Sequence, residues 1–204
     1  MTRTLVKFAV ILGLICLLMG GGVAVLYGVW RDQIAERERA ATLAAMLAVA
    51  PEGAEVDAAT PIAGSPGDSG AVYAARDPSG KTVGYVAGGE AQGYSSVVKL
   101  IVGATADGAD LKVLHVVVVC QSETPGLGAQ VAERRSTYTL WQKLFGADEP
   151  EDFLNPFLDR FQGKRPAEVP DIQAITAATI TSNAVKAAVG QALDRIRAAL
   201  KEAP

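Results

Sequence analysis

The feature that most constrains this chain is an apolar run without charged residues over residues 8–30. A stretch of about 20 such residues can cross the hydrocarbon core of a bilayer as an α-helix. The alternative is a cleavable signal peptide, in which Arg3 and Lys7 would form the basic n-region. The run is long for a signal peptide, no Ala-x-Ala site closes it, and Tyr27 and Trp30 fall where interfacial aromatic residues belong. The sequence therefore predicts a retained transmembrane helix.

Charged residues beside this run indicate its orientation. Arg3 and Lys7 precede it and favour a cytoplasmic N-terminus under the positive-inside rule. Basic residues follow the run as well, but the acidic residues at positions 32, 36 and 38 accompany them. We therefore expect the bulk of the chain to lie outside the cytoplasm.

Composition argues against several function classes. With 204 residues, of which 50% are hydrophobic, the chain allows one globular domain beside the membrane segment. A net charge of −3 and the absence of a basic tract argue against nucleic-acid binding. The sequence has one histidine, and of its two cysteines Cys16 lies inside the apolar run. We therefore expect no metal site and no intrachain disulfide.

Shifts in composition divide the chain into three parts. Residues 1–50 are predicted to form the transmembrane helix and a stalk, because good helix formers continue from position 34 up to Pro51. Residues 51–70 contain interspersed Pro, Gly, Ser and Asp and are predicted to be a linker. Residues 71–204 are then the globular domain.

The globular domain carries strand signals followed by helical ones. The strand signals fall at residues 71–76, 81–87, 96–104 and 111–120. The connections between these runs are short, which favours an antiparallel meander. Helical patterns follow at residues 130–144 and from position 180 onwards, and phenylalanines at helical spacing (Phe153, Phe157 and Phe161) are expected in the core. The predicted fold class is α+β: one N-terminal transmembrane helix, then an extracytoplasmic domain with an antiparallel sheet flanked by helices.

A cluster of hydroxyl residues precedes the last helix. Residues 171–183 read Asp-Ile-Gln-Ala-Ile-Thr-Ala-Ala-Thr-Ile-Thr-Ser-Asn. Apolar residues keep a period near 3.6 from Ile180 onwards, so Thr179, Thr181 and Ser182 are predicted at or near the helix N-terminus. Free backbone N–H groups and the positive end of the helix dipole favour an anion there. The alternative is an ordinary capped helix, since Ser and Thr are common caps and need no ligand.

The residues of this cluster carry a family resemblance. Asp171, then Thr-Ala-Ala-Thr at 176–179 and Ile-Thr-Ser, resembles the flavinylation motif of FMN-binding domains. These domains occur in the G subunit of the Rnf electron-transport complex and in the C subunit of the sodium-pumping NADH:quinone reductase. The resemblance implies that FMN is joined through its phosphate to the hydroxyl of Thr179. The family usually has glycine at the position of Ala177. The other cofactor-binding residues implied in this motif are Thr176, Ala178, Thr181 and Ser182.

A second segment resembles the same family. The hexapeptide Glu-Thr-Pro-Gly-Leu-Gly at residues 123–128 follows a predicted buried strand, and its glycines would let a flat ligand approach the backbone. A plain strand-to-helix turn is the alternative. Gly93 and Tyr94, further upstream, are also similar to the family. The resemblance implies that this loop packs against the isoalloxazine ring, with Leu127 in contact. The cofactor-binding residues implied here are Glu123, Thr124, Gly126, Leu127 and Gly128.

These observations predict an electron carrier rather than an enzyme acting alone on a small molecule. The sequence contains no Gly-x-Gly-x-x-Gly nucleotide fingerprint and no identifiable catalytic base. A flavin supplies redox chemistry itself, and the protein supplies its position. The resemblance implies an electron-transfer subunit of a membrane ion-translocating ferredoxin:NAD oxidoreductase of the Rnf type, with covalent FMN relaying electrons between neighbouring membrane and redox subunits. It also implies the bacterial inner membrane, with the domain on the periplasmic or extracytoplasmic side.

Two alternatives stay open at this stage. The C subunit of the sodium-pumping quinone reductase shares both motifs, although the present chain is short for it. A membrane-anchored sensor or assembly module that binds FMN non-catalytically, or binds none, is the other alternative. Alanine in place of glycine at Ala177 is its best support.

Overall fold

The computed structural model describes residues 2–107, 110–133 and 155–202 of the chain. The chain divides into two compact units, Met1–Ala40 and Ala41–Pro204. The described elements confirm the predicted α+β class. In chain order they are helix α1 (Thr2–Val49), strands β1 (Glu55–Val56), β2 (Val72–Arg76), β3 (Thr82–Gln92), β4 (Val97–Thr105) and β5 (Val113–Cys120), 3-10 helices at Gly128–Val131, Leu158–Phe161 and Pro166–Asp171, and helix α2 (Thr179–Glu202).

The first unit consists of helix α1 up to Ala40, and the last turns of the helix belong to the second unit. The helix is long and apolar enough to cross a membrane over Val6–Val49, and its most apolar window has no buried residue. Large side chains such as those of Leu17 and Met19 are more than two-thirds exposed. In water such exposure would be unfavourable, whereas in a bilayer these side chains lie in hydrocarbon. The predicted apolar helix is therefore present, and we interpret it as a membrane anchor.

The second unit is built on a five-stranded antiparallel sheet in the order β1-β2-β3-β4-β5. The predicted meander is therefore correct. Strand β3 continues to Gln92, beyond the predicted end at position 87, and pairs with β4 along most of its length. The predicted linker over residues 51–70 contains β1, and Ala63 forms an isolated bridge with Val72.

Helix α2 covers one face of the sheet with the apolar stripe expected from its sequence period. Gly89 of β3 lies directly beneath the helix backbone, since a Cβ there would overlap the carbonyl group of Ala188. Burying each large side chain of the stripe contributes about 2 kcal/mol. The large fully buried residues of this stripe are Val185, Val189, Leu193 and Ile196, in one core with Val98, Leu100 and Val102 of β4.

The opposite face of the sheet is covered by the end of α1. Here Val49 belongs to a second core with Tyr73, Val86 and Ile101. A Cβ at Gly103 would overlap the carbonyl group of Val49, so the helix end lies directly on β4. We predicted residues 1–50 as anchor and stalk and placed the domain start at residue 71. In the structure the compact unit begins at Ala41, because the last helical turns carry small apolar residues that the sheet buries.

Two predictions fall partly on residues that the structure does not describe. The predicted helix at residues 130–144 begins beside the 3-10 helix Gly128–Val131, and its remainder from position 134 lies outside the described residues. Phe153 also lies outside them. Phe157 and Phe161 are buried and pack edge to face, with ring centroids 5.5 Å apart. Their predicted place in the core is confirmed.

Candidate functional site

Three segments meet at one end of the sheet. The first is the turn at residues 93–96, which joins β3 to β4. The second is the loop at residues 121–128 after β5, which lies at the same end because Cys120 pairs with Lys99 near the start of β4. The third is the start of α2 together with residues 175–178. Two of these segments are the motifs singled out in the sequence, and the turn contains the Gly-Tyr pair.

The carboxylate of Glu123 connects the three segments. One oxygen, Oε1, accepts hydrogen bonds from the backbone N–H groups of Ser95 (3.0 Å) and Ser96 (2.9 Å) and from the Ser96 hydroxyl (3.2 Å). The other, Oε2, accepts from the backbone N–H of Tyr94 (3.2 Å) and from the Thr181 hydroxyl (2.7 Å). Both oxygens are therefore engaged within the protein. The side chain of Glu123 is almost completely buried, at 6% exposure.

Glu123 is a charged group held by neutral donors. Burial alone would raise its pKa, but the hydrogen bonds from Thr181, Ser96 and Ser95 outweigh burial and hold the pKa of Glu123 below its ordinary value of 4.5. A carboxylate that accepts several N–H and O–H bonds is stabilised in its ionised form. Glu123 is therefore ionised at neutral pH.

Two glycines leave the space that this carboxylate occupies. A Cβ on Gly93 would lie 2.6 Å from Oε1 of Glu123 and 2.9 Å from the carbonyl oxygen of Ser96. A Cβ on Gly128 would lie 2.7 Å from the Thr181 hydroxyl and 2.8 Å from Oε2 of Glu123. Real Cβ atoms do not approach other atoms so closely. We expected the glycines of the loop to admit a ligand; the structure shows that Gly128 admits Glu123 and Thr181.

The hydroxyl groups at the start of α2 divide into two sets. Thr179 is the first residue of the helix, and both it and Thr176 are exposed. Thr181 and Ser182 are buried, at 2% and 0% exposure. The Thr181 hydroxyl donates to Glu123, and the Ser182 hydroxyl accepts from the N–H of Ile175 at 3.0 Å. Thr176 and Thr179 are therefore exposed to solvent, whereas Thr181 and Ser182 are hydrogen-bonded inside the domain. Contact of any of the four with a cofactor stays a prediction.

Ala178 and Ala177 shape the turn that leads into the helix. Ala178 is buried, its N–H donates to the carbonyl of Ile175, and its carbonyl accepts from Ser182. Ala177 has a φ of +64° and is the one non-glycine residue with positive φ among those described. This left-handed conformation costs an L-residue about 1 kcal/mol and costs glycine nothing. The backbone therefore gives a physical reason for glycine at this position in the family.

The loop at residues 124–128 presents an exposed surface beside the helix start. The carbonyl of Thr124 accepts from the N–H groups of Leu127 (3.2 Å) and Ala129 (3.1 Å), which closes the loop into a tight turn. Gly126, with a φ of +74°, supplies the left-handed residue of this turn. The side chains of Thr124 and Leu127 point outward, Leu127 with 44% exposure.

Each of the three segments carries one large exposed apolar side chain. They are Tyr94 (71% exposed), Leu127 (44%) and Ile180 (56%). Exposed apolar side chains can mark a binding site, and these three belong to segments that Glu123 holds together. The exposed hydroxyl of Thr179 lies at a helix N-terminus in the same region. The residues present therefore fit a ligand that combines an apolar ring with a phosphate group.

Sequence reasoning did not identify two cations that hold residues 170–173, where the motif begins. The ammonium group of Lys186 donates to the carbonyls of Pro170 (3.1 Å) and Ile172 (2.9 Å), and the guanidinium of Arg160 donates to the carbonyl of Gln173 (3.0 Å). These bonds satisfy carbonyls of an irregular segment that has few backbone partners. The contacts cross 13 to 16 positions of sequence, so no local pattern reveals them.

A separate open groove of about 350 Å³ lies along α2. It is bordered by the 3-10 helix Pro166–Asp171 and by the exposed side of α2 around Lys186 and Gly190. None of the residues that contact Glu123 lines this groove. We therefore place the candidate site at Glu123 and Thr179 rather than in the groove.

Comparison with known families shows which family contains these three segments. The model of the FMN-binding domain matches residues 93–194, which is half of the chain. The chain belongs to the FMN-binding domain family. The match begins at the turn before β4 and includes all three segments that meet at Glu123. FMN is therefore the cofactor that the domain binds.

Two curated relatives match part of the chain. The chain is 36% identical over 116 residues to the G subunit of the proton-translocating ferredoxin:NAD(+) oxidoreductase complex of Clostridium ljungdahlii, covering 57% of this chain and 55% of the relative. It is 32% identical over 116 residues to the G subunit of the Na(+)-translocating ferredoxin:NAD(+) oxidoreductase complex of Acetobacterium woodii, covering 56% and 49%. The chain thus spans about half the length of the curated relatives it matches.

A solved structure is also similar. The crystal structure of Shewanella oneidensis NqrC superposes with a TM-score of 0.46 and 19% sequence identity, covering 76% of this chain and 73% of that chain. Similarity at this level does not bear on activity or partners.

Proposed function

We propose that this FMN-binding domain carries FMN covalently on Thr179 and serves as the electron-transfer subunit of an Rnf-type, ion-translocating ferredoxin:NAD oxidoreductase complex. The names of the two curated relatives support the complex. One structural observation carries the choice of residue. Thr179 is exposed at the first position of α2, whereas Thr181 and Ser182 in the same turn are buried and hydrogen-bonded inside the domain.

The start of α2 suits the phosphate end of the cofactor. The first N–H groups of an α-helix have no intrahelical acceptor, and the helix dipole favours a negative group beside them. Thr176 is exposed next to Thr179 and adds a second hydroxyl donor. A phosphodiester at Thr179 would thus lie at a favourable electrostatic position.

The neighbouring loop suits the ring of the cofactor. Leu127 on this loop, with Tyr94 and Ile180 on the two adjoining segments, gives exposed apolar surface that a planar ring would cover. Covering such surface contributes about 25 cal/mol for each Å² removed from water. Bound FMN supplies the redox chemistry, and the chain supplies its position and excludes water from one side of the ring. Thr124 and Gly126 form the tight turn that presents Leu127.

The proposal places the domain outside the cytoplasm of a bacterial inner membrane. Arg3 and Lys7 before the apolar stretch favour a cytoplasmic N-terminus, and a single span then puts the domain on the other side. Free FMN lost on that side is not readily replaced, so a covalent tether suits the location. The partners of such a protein would be neighbouring integral-membrane and redox subunits that deliver and accept electrons.

The proposal is tested by following the flavin through denaturation. The full chain is produced in a bacterial host that contains a flavin transferase, and the denatured protein is examined for in-gel flavin fluorescence and intact mass. We expect fluorescence and an added mass equal to FMN less one water in the wild type and in Thr60→Ala, an exposed threonine outside the site, and neither in Thr179→Ala. A colourless wild type would favour the sensor or assembly module, and fluorescence retained by Thr179→Ala would place the linkage on another residue.

A further inference from the structure

Glu123 is the residue through which the flavin motifs contact one another. Its carboxylate accepts five hydrogen bonds, three of them from the turn at residues 94–96 through backbone N–H groups. Its fifth bond reaches Thr181, which is 58 positions away in sequence. Among the described residues, no buried side-chain N or O atom lacks a hydrogen-bond partner. The network is therefore complete within the protein.

Because both of its oxygens already accept hydrogen bonds from the protein, Glu123 differs from a residue that binds a ligand through its own polar atoms. A group that contacts a cofactor needs an unused acceptor or donor directed outward, whereas both Glu123 oxygens face internal donors. Gly93 and Gly128 also crowd the carboxylate so closely that a Cβ on either would lie within 3 Å of it. The side chain is thus fixed in position, and so are the segments that bind it.

We propose that Glu123 is a positioning residue of the flavin site: its buried carboxylate holds the ring loop at residues 124–128 and the Tyr94 turn against the first turn of α2, which carries Thr179. This inference rests on the proposed function for the identity of the ligand. The bond between Glu123 and the Thr181 hydroxyl is the direct connection between loop and helix. Because Thr181 lies two positions after Thr179, any shift of this bond moves the attachment residue relative to Leu127.

Three variants isolate the connection. Thr181→Val removes the hydroxyl and keeps the volume, Thr181→Ser restores it, and Glu123→Gln keeps the shape of the side chain while removing its charge. Thr105→Val is the matched control, because the Thr105 hydroxyl makes equivalent bonds at the opposite end of the sheet, accepting from the N–H of Lys112 at 3.1 Å and donating to the carbonyl of Asp110 at 3.3 Å.

The first measurement uses flavin-free protein, the full-length chain carrying Thr179→Ala. Amide hydrogen exchange is followed at residues 94–96, whose N–H groups bind Glu123. We expect Glu123→Gln to speed exchange there about tenfold, which corresponds to the loss of about 1.4 kcal/mol of hydrogen bonding to a charged acceptor. Thr105→Val should leave these amides unchanged. Equal exchange rates in Glu123→Gln and its parent would overturn the inference whether or not the wild type binds FMN.

The second measurement uses flavin-loaded full-length chain. Visible circular dichroism of the flavin and its midpoint potential report how the ring is held. We expect Thr181→Val and Glu123→Gln to change both, and Thr181→Ser and Thr105→Val to match the wild type. Wild-type spectra in Thr181→Val, or the same change in Thr105→Val, would overturn the positioning role. A wild type without flavin would instead overturn the proposed function, and the exchange experiment would still decide the role of Glu123.

Discussion

At the end of the sheet that carries the motifs, a buried carboxylate joins three segments, whereas at the opposite end exposed residues hold each turn. The turn between β2 and β3 is closed by Asp77, which accepts from the N–H groups of Ser79 (2.9 Å) and Lys81 (3.0 Å). Asp110, after β4, pairs with Lys112 at 2.6 Å and Arg165 at 2.7 Å, and its side chain is 38% exposed.

The two ends of the sheet differ in how far their charged groups are removed from water. Asp77 binds partners within four positions of itself, whereas Asp110 also reaches Arg165, 55 positions away. At both places solvent screens the charges, and they contribute little. The motif end depends on contacts between positions 27 to 58 residues apart, and its charge lies out of water. It is therefore rigid and sensitive to substitution, and it can hold exposed apolar side chains in a fixed arrangement.

The largest effect is expected from Gly128→Val. The new side chain must displace Thr181 and Glu123, so we expect a loss of about 3 kcal/mol in the free energy of unfolding from overpacking and broken hydrogen bonds. Chemical denaturation of the full-length chain measures it. Gly80→Ala is the control at the opposite end, where a Cβ meets open space and the φ of +83° costs about 1 kcal/mol. Equal losses in the two variants would contradict the difference between the ends.

Glu123→Gln should cost about 2 kcal/mol, because hydrogen bonds to a charged acceptor contribute about 1.5–3 kcal/mol and the amide places a donor against donors. The cost should depend on pH. The pKa of Glu123 is lower in the folded chain than its ordinary 4.5, so its stabilisation is present above that value and is lost as the pH falls through the lowered folded pKa.

Denaturation of wild type and Glu123→Gln over a series of acidic pH values tests this dependence. The difference in unfolding free energy between them should be constant near neutral pH and shrink below pH 4.5. The other carboxylates are shared by both proteins and cancel in the difference. A difference that grows on acidification would show that the pKa of Glu123 is raised rather than lowered.

Ala177→Gly should stabilise the domain by up to about 1 kcal/mol. Glycine adopts the φ of +64° without strain, although its greater freedom in the unfolded chain offsets part of the gain. The control is Ala187→Gly, an exposed position inside α2, which should cost about 1 kcal/mol. Thermal unfolding of both variants distinguishes the left-handed position from the helical one. A loss in Ala177→Gly would mean that the methyl group itself contributes to packing.

The smallest effect is expected from Asp110→Asn. Its ion pairs with Lys112 and Arg165 lie at the surface, where such pairs contribute little and are screened by salt. We expect an unfolding midpoint within experimental error of the wild type, measured at low and at high salt. A loss comparable to that of Glu123→Gln would remove the distinction between a buried and an exposed carboxylate.

Local pattern predicted much of this architecture. The apolar run gave α1, the 3.6-residue period gave the buried stripe of α2, and short turns between apolar runs gave the antiparallel meander. The pattern missed the end of α1 as part of the domain, because small residues near Val49 suit an exposed stalk as well as a packed helix. It also treated residues 51–70 as a linker, since a two-residue strand leaves no periodic signal.

For the candidate site, the sequence indicated the residues but not which of them are exposed and which bind one another inside the domain. One motif contained Glu123 and the other contained the cluster of hydroxyl residues. Neither motif showed that Glu123 and Thr181 bind each other. The same limit applied to Ala177, where the sequence showed alanine in place of the family's glycine and only the backbone shows a left-handed turn.

By itself, the sequence determined the apolar anchor, the strand and helix periods and the hydroxyl residues at a helix start, because these depend on side-chain chemistry repeated at short spacing. Only the tertiary structure decided which hydroxyls face outward, where the buried carboxylate lies and which glycines make room for it. These features depend on contacts between residues far apart in the chain, which form only when the sheet brings its turns to one end.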